Sequence, residues 1–386
     1  MAYTKKNRDE HLSNLDMPKR ILALDGGGLK GILTLGLLQR IESILKERHG
    51  NESSFRLSDY FDLIAGTSTG AIIAAVLAMG WTVEEIRDKY MALGQHVFEK
   101  SFFRKGFFRA KYDKEKLDKK LKEIFGKDTL LGGPELQTGL LIVTKRLDSG
   151  SPWPISNNPR GKYFASNKDG TIGNGEYPLW QVVRSSTAAP AYFDPEEITI
   201  KKSDHTPDVG LFVDGGVSPF NNPAFQALMY ATIRGYGIQW PIGAEKILLV
   251  SVGTGAADPK VKKSNIAAEH AVSSLLSLMN DCASHQETIL QWLSSSPTAR
   301  DIDGELGTLE NDLLGGNPLI TYLRYNVDFR KDNVIRLDPS LKDSELIESL
   351  SAMDAPENMD VLHRLGMLAA KTDVKDSHFE KKFDLT

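Results

Sequence analysis

Three short runs bring together residue types that can do acyl chemistry. The first is Gly66-Thr67-Ser68-Thr69-Gly70. A serine hydroxyl is a weak nucleophile until a neighbouring base takes its proton. A sharp turn between a strand and a helix lifts such a hydroxyl clear of the backbone, and flanking glycines permit the close approach that the turn demands. The serine then sits at a helix N-terminus, where the dipole and free N–H groups favour developing negative charge. Alone the pentapeptide is weak, because a chain with 33 glycines meets it readily by chance. Its setting strengthens it: the strand-like FDLIA precedes it and the helix-like AIIAAVLAM follows.

The second run is Asp25-Gly26-Gly27-Gly28-Leu29-Lys30-Gly31. It contains G-x-G-x-x-G between a strand and a helix, the spacing of a dinucleotide loop. That fold wants an acidic residue closing a second strand about twenty positions on. Here that region, ERHGNESSF, reads as a loop. Successive glycine N–H groups also cradle anions in general, and an oxyanion is one. The third run is Val213-Asp214-Gly215-Gly216, a strand ending in an aspartate followed by two glycines. Taken alone it is an ordinary turn; beside a serine it offers a base.

Histidine supplies the discriminating negative. A triad would want a histidine on a late loop. His11, His49, His96, His205, His270, His285, His363 and His378 all lie outside glycine-rich turns that follow strands. His270 and His285 share one expected helix and read as satisfied surface or core residues. No H-E-x-x-H and no Cys/His cluster suggests a metal, so neither metal nor cofactor is expected.

These runs need a scaffold. Strand-like segments are expected at Ile21–Leu24, Phe61–Ala65, Leu140–Val143, Leu211–Val213, Ile247–Val252 and Val334–Leu337. Helices are expected over Gly31–Arg48, from Ala71 onward, and at Lys114–Ile124, Pro178–Thr187, Ala267–Leu293 and Met359–Ala370. Alternating strands and helices predict a mainly parallel sheet covered on both faces. Leu63–Val83 is uncharged and about as long as a membrane span, but its G-x-S-x-G turn interrupts it.

At 386 residues, 41% hydrophobic and 25% charged, the chain has ordinary globular composition. A net charge of −4 argues against DNA as a partner and makes any membrane contact local and largely apolar. The single cysteine, Cys282, forbids an intramolecular disulfide. The polar, charged N-terminus lacks the apolar core of a signal peptide, so a cytoplasmic protein is expected.

The ordered set D-G-G-G-x-[KR]-G, G-x-S-x-G and D-G-G resembles the patatin-like phospholipases. The block Ser185-Ser186-Thr187-Ala188-Ala189-Pro190-Ala191-Tyr192-Phe193 resembles the family's Ala-Pro region, and Met353-Asp354-Ala355-Pro356-Glu357-Asn358-Met359 a late region of plant patatins. The resemblance implies a three-layer α/β/α fold with Ser68 on a nucleophile elbow. It further implies a Ser–Asp dyad of Ser68 and Asp214, and an oxyanion hole from Gly26, Gly27, Gly28 and Thr69. Asp25, Lys30, Gly31, Gly66, Gly70, Gly215 and Gly216 complete the motifs. The expected domain spans 18–370, between a loose segment, 1–17, and a tail, 371–386. Phospholipid at a membrane surface is the implied substrate, reached from the cytoplasmic side. Compact bacterial members imply a cyclic-oligonucleotide activator, a role in anti-phage defence and self-association as a switching event. A soluble esterase or acyltransferase, and a non-catalytic storage or binding protein on the same fold, are the competing readings. Residues 98–113, FEKSFFRKGFFRAKYD, interleave aromatics with Arg104, Lys105, Arg109 and Lys111. They read either as a docking patch for anionic lipid or nucleotide, or as a loop with buried aromatics.

Overall fold

The computed structural model describes residues 3–13, 17–97, 113–190, 192–203, 206–256 and 267–386, apart from the side chains of 96–97, 267–273 and 275–276. The aromatic-basic segment singled out above lies outside these residues, except for Asp113.

Among the described residues nine strands form one sheet. They are β1 (Lys19–Leu24), β2 (Leu63–Thr67), β3 (Gly139–Arg146), β4 (Pro152–Ser156), β5 (Glu196–Lys201), β6 (Asp208–Asp214), β7 (Ile247–Val252), β8 (Ser294–Ser295) and β9 (Ile320–Tyr325). Their order is β5-β6-β3-β2-β1-β7-β9-β8, with β4 paired to β3. The run from β3 to β8 is parallel, while β6, β5 and β4 add antiparallel strands. The helices are α1 (Arg8–Leu12), α2 (Gly31–Arg48), α3 (Leu57–Tyr60), α4 (Thr69–Ala78), α5 (Val83–Val97), α6 (Lys114–Phe125), α7 (Leu179–Ser186), α8 (Ala224–Thr232), α9 (Ala267–Leu293), α10 (Lys331–Leu337), α11 (Ser344–Ser349) and α12 (Met359–Asp373).

Strand periodicity divides the core in two. Leu22, Leu24, Ile64, Val250 and Leu323 point to one face, where α2 and α4 cover them. Ile21, Ala23, Leu63, Leu249 and Tyr322 point to the other, where α8 and Leu290 of α9 close over them. Both faces of the central strands are buried, which is why they read as continuous apolar runs. The expected three-layer arrangement is therefore present. α2 is buried beyond its expected stripe, because α12 packs on its outer side. A Cβ on Gly36 would come 2.8 Å from the Met367 nitrogen, so the helices cross nearly backbone to backbone.

Two expectations are corrected. Val334–Leu337 belongs to a helix, α10, not a strand; its N–H ladder runs Val334 to Arg330 and Asp338 to Val334. A short apolar run cannot be assigned by periodicity alone. The sheet instead takes Ile320-Thr321-Tyr322-Leu323-Arg324-Tyr325, whose buried arginine disguises it as a surface segment. The described residues of both ends, expected to be loose, pack on the domain. His11 is buried with its Nδ1 2.9 Å from the Asp62 carboxylate. Phe379 and Phe383 are fully buried, and Arg48 binds both carboxylate oxygens of Asp384. No helix among the described residues is long and apolar enough to cross a membrane.

The packing of the chain end makes a stability prediction. Phe383→Ala removes a fully buried ring and should cost about 3–5 kcal/mol. Urea unfolding measures it. A loss below about 1 kcal/mol would mean that the tail is loosely held.

Candidate active site

Ser68 stands between β2 and α4 with φ 55° and ψ −124°. Non-glycine residues seldom hold positive φ, so the surrounding structure must enforce this turn. The glycines on either side show how. A Cβ on Gly66 would come 2.6 Å from the Ala71 nitrogen, and one on Gly70 2.7 Å from the Asp25 carbonyl oxygen. Only hydrogen fits there, so the elbow folds flat against the chain and presents the serine side chain outward.

Sheet register brings the base. Thr67 lies opposite Val143, and Asp214 opposite Thr144, so Ser68 and Asp214 meet across β3. Ser68 Oγ donates to Asp214 Oδ2 at 2.5 Å, and the Gly216 N–H donates to Oδ1 at 2.7 Å. Burial pushes the Asp214 carboxyl up to about 6, against the opposing pull of the Ser68 and Gly216 hydrogen bonds. Such a carboxylate is ionised at neutral pH yet basic enough to take a proton. No histidine is among these hydrogen-bond partners. Of the histidines with described contacts, His11 bonds Asp62, His49 bonds Leu45 O, and His378 bonds Tyr325.

The Ala-Pro block fixes both partners. Ser186 Oγ accepts the Ser68 N–H at 2.9 Å and donates to Val143 O. Ala188 O accepts the Asp214 N–H at 3.0 Å. Sequence reading placed this block but missed Ser186's role, since a serine in a small-residue run carries no pattern.

The glycine loop is similarly pinned. The Gly26 N–H donates to Asn221 O at 3.0 Å, which removes it from the expected set of oxyanion donors. The Gly27, Gly28 and Thr69 N–H groups form no backbone hydrogen bond among the described residues. Gly28 has φ +59°, a conformation that explains the glycine. Tyr90 donates to Gly28 O at 2.7 Å and is bonded to Thr69 Oγ1, so one α5 side chain ties the loop to the elbow. Thr254 Oγ1 donates to Gly26 O, and Met353 O accepts from Leu29 N. Behind the loop, Arg324 grips Asp25 with two bonds of 3.0 and 2.6 Å. Burial works against the charged guanidinium, but Asp25 outweighs it and Arg324 is held above its ordinary value. Arg324 and Tyr90 lie far from the motifs in sequence and had no signal in them.

Beside Ser68 opens a narrow apolar pocket of about 50 Å³, lined by Ile72, Leu93, Leu117, Ala189, Tyr192 and Phe193 among others. A family model described as patatin-like phospholipase matches residues 22–228. The chain belongs to the patatin-like phospholipase family. It is thus a lipid acyl hydrolase on the patatin fold. Among its relatives, a cGAMP-activated phospholipase of Vibrio cholerae is 29% identical over 320 residues, covering 79% of this chain and 84% of that protein. A cGAMP-activated phospholipase of Escherichia coli is 27% identical over 252 residues, 64% of this chain and 65% of that one. Patatin-1-Kuras 2 of Solanum tuberosum is 26% identical over 324 residues, 81% and 79%.

The Asp214 environment gives two expectations. Hydrolysis should fall on the acid side with a midpoint near the carboxyl value of about 6, because only the ionised base accepts a proton. The same shift has a stability sign. A carboxyl raised on folding favours the native state at low pH, and that contribution is lost as pH rises through about 6. Asp214→Asn should therefore melt higher than the parent at pH 7.5, with the gap closing at pH 4. A melting gap that does not change with pH would contradict a strained, buried carboxylate.

Proposed function

We propose that Ser68 and Asp214 are the catalytic dyad of a phospholipase that frees fatty acid from membrane phospholipid, and that a cyclic oligonucleotide switches it on. The observation that carries the catalytic part is the 2.5 Å contact between Ser68 Oγ and a buried carboxylate at the edge of an apolar pocket. As Oγ attacks the ester carbonyl, its proton passes to Asp214 Oδ2. The carbonyl oxygen becomes an oxyanion and takes hydrogen bonds from the Gly27, Gly28 and Thr69 N–H groups. Each such donor is typically worth about 3 kcal/mol in the transition state. The tetrahedral carbon expels the lysophospholipid alkoxide, which takes the proton back from Asp214. Water then attacks the acyl-serine, gives its proton to Asp214, and the fatty acid leaves as Ser68 is restored. The acyl chain occupies the apolar pocket throughout, which favours lipid over small polar esters. An almost wholly apolar lining suits hydrocarbon and not a polar group.

Gating rests on the two bacterial relatives named as cGAMP-activated phospholipases. It also answers a physical need, since an ungated phospholipase inside a cell attacks that cell's own membrane. Action at the inner membrane surface, self-association on activation and a part in anti-phage defence belong to this reading.

The deciding experiment uses phosphatidylglycerol–phosphatidylethanolamine vesicles with purified protein, with and without cGAMP and a panel of cyclic di- and trinucleotides. Fatty-acid release should depend on one nucleotide and vanish in Ser68→Ala. Release from soluble p-nitrophenyl esters alone, with vesicles untouched, would favour the esterase reading. Full vesicle hydrolysis without any nucleotide would remove the gate and leave the hydrolase.

A further inference from the structure

The Gly26–Gly28 loop has two sides. Gly28 faces the apolar pocket beside Ser68. Gly26 and Gly27 face a second cleft of about 530 Å³. That cleft lies outside the carboxyl ends of β1, β7 and β9, where Asp25, Thr254 and Asn326 stand, and α9 walls it from Met279 to Glu287. Crevices at this end of an open α/β sheet are where ligands bind. Unlike the acyl pocket, about half of its wall is polar.

Three groups in that wall are incompletely used. Lys30 is only 8% exposed, yet its ammonium makes no hydrogen bond or ion pair among the described residues. Asn221 Oδ1 and Arg324 Nε are buried without a hydrogen bond. A buried ammonium without a partner is costly and calls for an anion or an acceptor. Burial lowers the Lys30 pKa to about 8, and the Asp25 charge opposes that, so the amine remains mostly a cation at neutral pH. The other cations are engaged: Arg324 with Asp25, Arg300 with Glu287 and Arg330 with Asp328. The cleft is therefore no general anion trap. It offers one fixed positive point deep inside and polar side chains around it.

We propose that this polar cleft is the binding site for the cyclic-oligonucleotide activator, which acts by setting the position of the glycine loop. The inference rests on the gated-phospholipase reading above. A phosphodiester of the nucleotide meets Lys30. Asn221, Asn280 and Ser284 offer hydrogen bonds to base edges, and Asp281 and Asp301 accept from a purine's N–H groups. The link to chemistry is short. Asn221, Thr254 and Met353 line the cleft, and each already holds the loop: Asn221 O and Thr254 Oγ1 bond Gly26, and Met353 O bonds Leu29. A molecule touching these groups touches the loop that presents the Gly27 and Gly28 N–H donors. Activation then requires only that the nucleotide prefer the donor-ready loop.

The test compares the parent with Ser284→Trp and Arg330→Glu, two changes on the cleft's rim. Binding of cGAMP and the nucleotide panel is read by calorimetry in a Ser68→Ala background, and activation by vesicle hydrolysis. Basal hydrolysis of a soluble ester checks that the fold and dyad are intact. Each rim change should weaken binding at least tenfold and raise the activating concentration by the same factor, with basal hydrolysis unchanged. If the parent binds and responds while both variants bind as tightly, the activator sits elsewhere and gating stands. If the parent binds none of the nucleotides and hydrolyses vesicles fully without them, both readings fall.

Discussion

Everything at the active site depends on one strained residue. Ser68 holds φ 55° because β2 and α4 turn back on each other across Gly66 and Gly70, where nothing larger than hydrogen fits. The turn is held from several sides: Ser186 fixes the Ser68 nitrogen, Asp25 O leaves no room for a side chain at Gly70, and the parallel sheet fixes the strand beneath. Relaxing the turn would swing the hydroxyl away from both Asp214 and the glycine loop. Backbone strain of this kind, typically about 1–3 kcal/mol, is what a preoriented nucleophile costs.

The second constraint is how few charges the site holds and how deeply they lie. Asp214 is buried with no cation beside it among the described residues, which raises its basicity and fits a carboxylate for the work that histidine does elsewhere. Burial pushes the Asp25 carboxyl, just after β1, up as well, but here a cation opposes it. Arg324 neutralises it with two hydrogen bonds, so it anchors the loop instead of reacting. Two aspartates, each followed by Gly-Gly and both buried, thus differ in the presence or absence of a guanidinium. Removing Arg324 would leave Asp25 as an uncompensated buried charge behind the oxyanion loop.

The motifs made the meeting of Ser68, Asp214 and the glycine loop legible in sequence, because glycines forced by close approach leave a written trace. The parallel core was legible for the same kind of reason: strands buried on both faces are unbroken apolar runs. What failed was written in tertiary contact. β9 hid because Arg324 looks like a surface residue until Asp25 is placed opposite it. Val334–Leu337 read as a strand because four residues carry no period. Phe379 and Phe383 sit in a charged tail whose burial depends on Arg20 and Arg48, hundreds of residues earlier. Tyr90, which joins the glycine loop to the elbow, has no motif at all. The Gly26 N–H was expected to serve the oxyanion, and only the fold reveals that Asn221 has taken it.

The central claim is that a buried carboxylate alone activates Ser68. The most direct measurement is the rate at which a fluorophosphonate labels Ser68, which reports nucleophilicity without lipid binding or product release. It is made on folded parent, Asp214→Asn and each single histidine-to-alanine variant, in the presence of whatever nucleotide activates the parent. The account predicts near-complete loss of labelling in Asp214→Asn and parent-like rates in every histidine variant. Labelling of Asp214→Asn at the parent rate, or a folded histidine variant that fails to label, would contradict it.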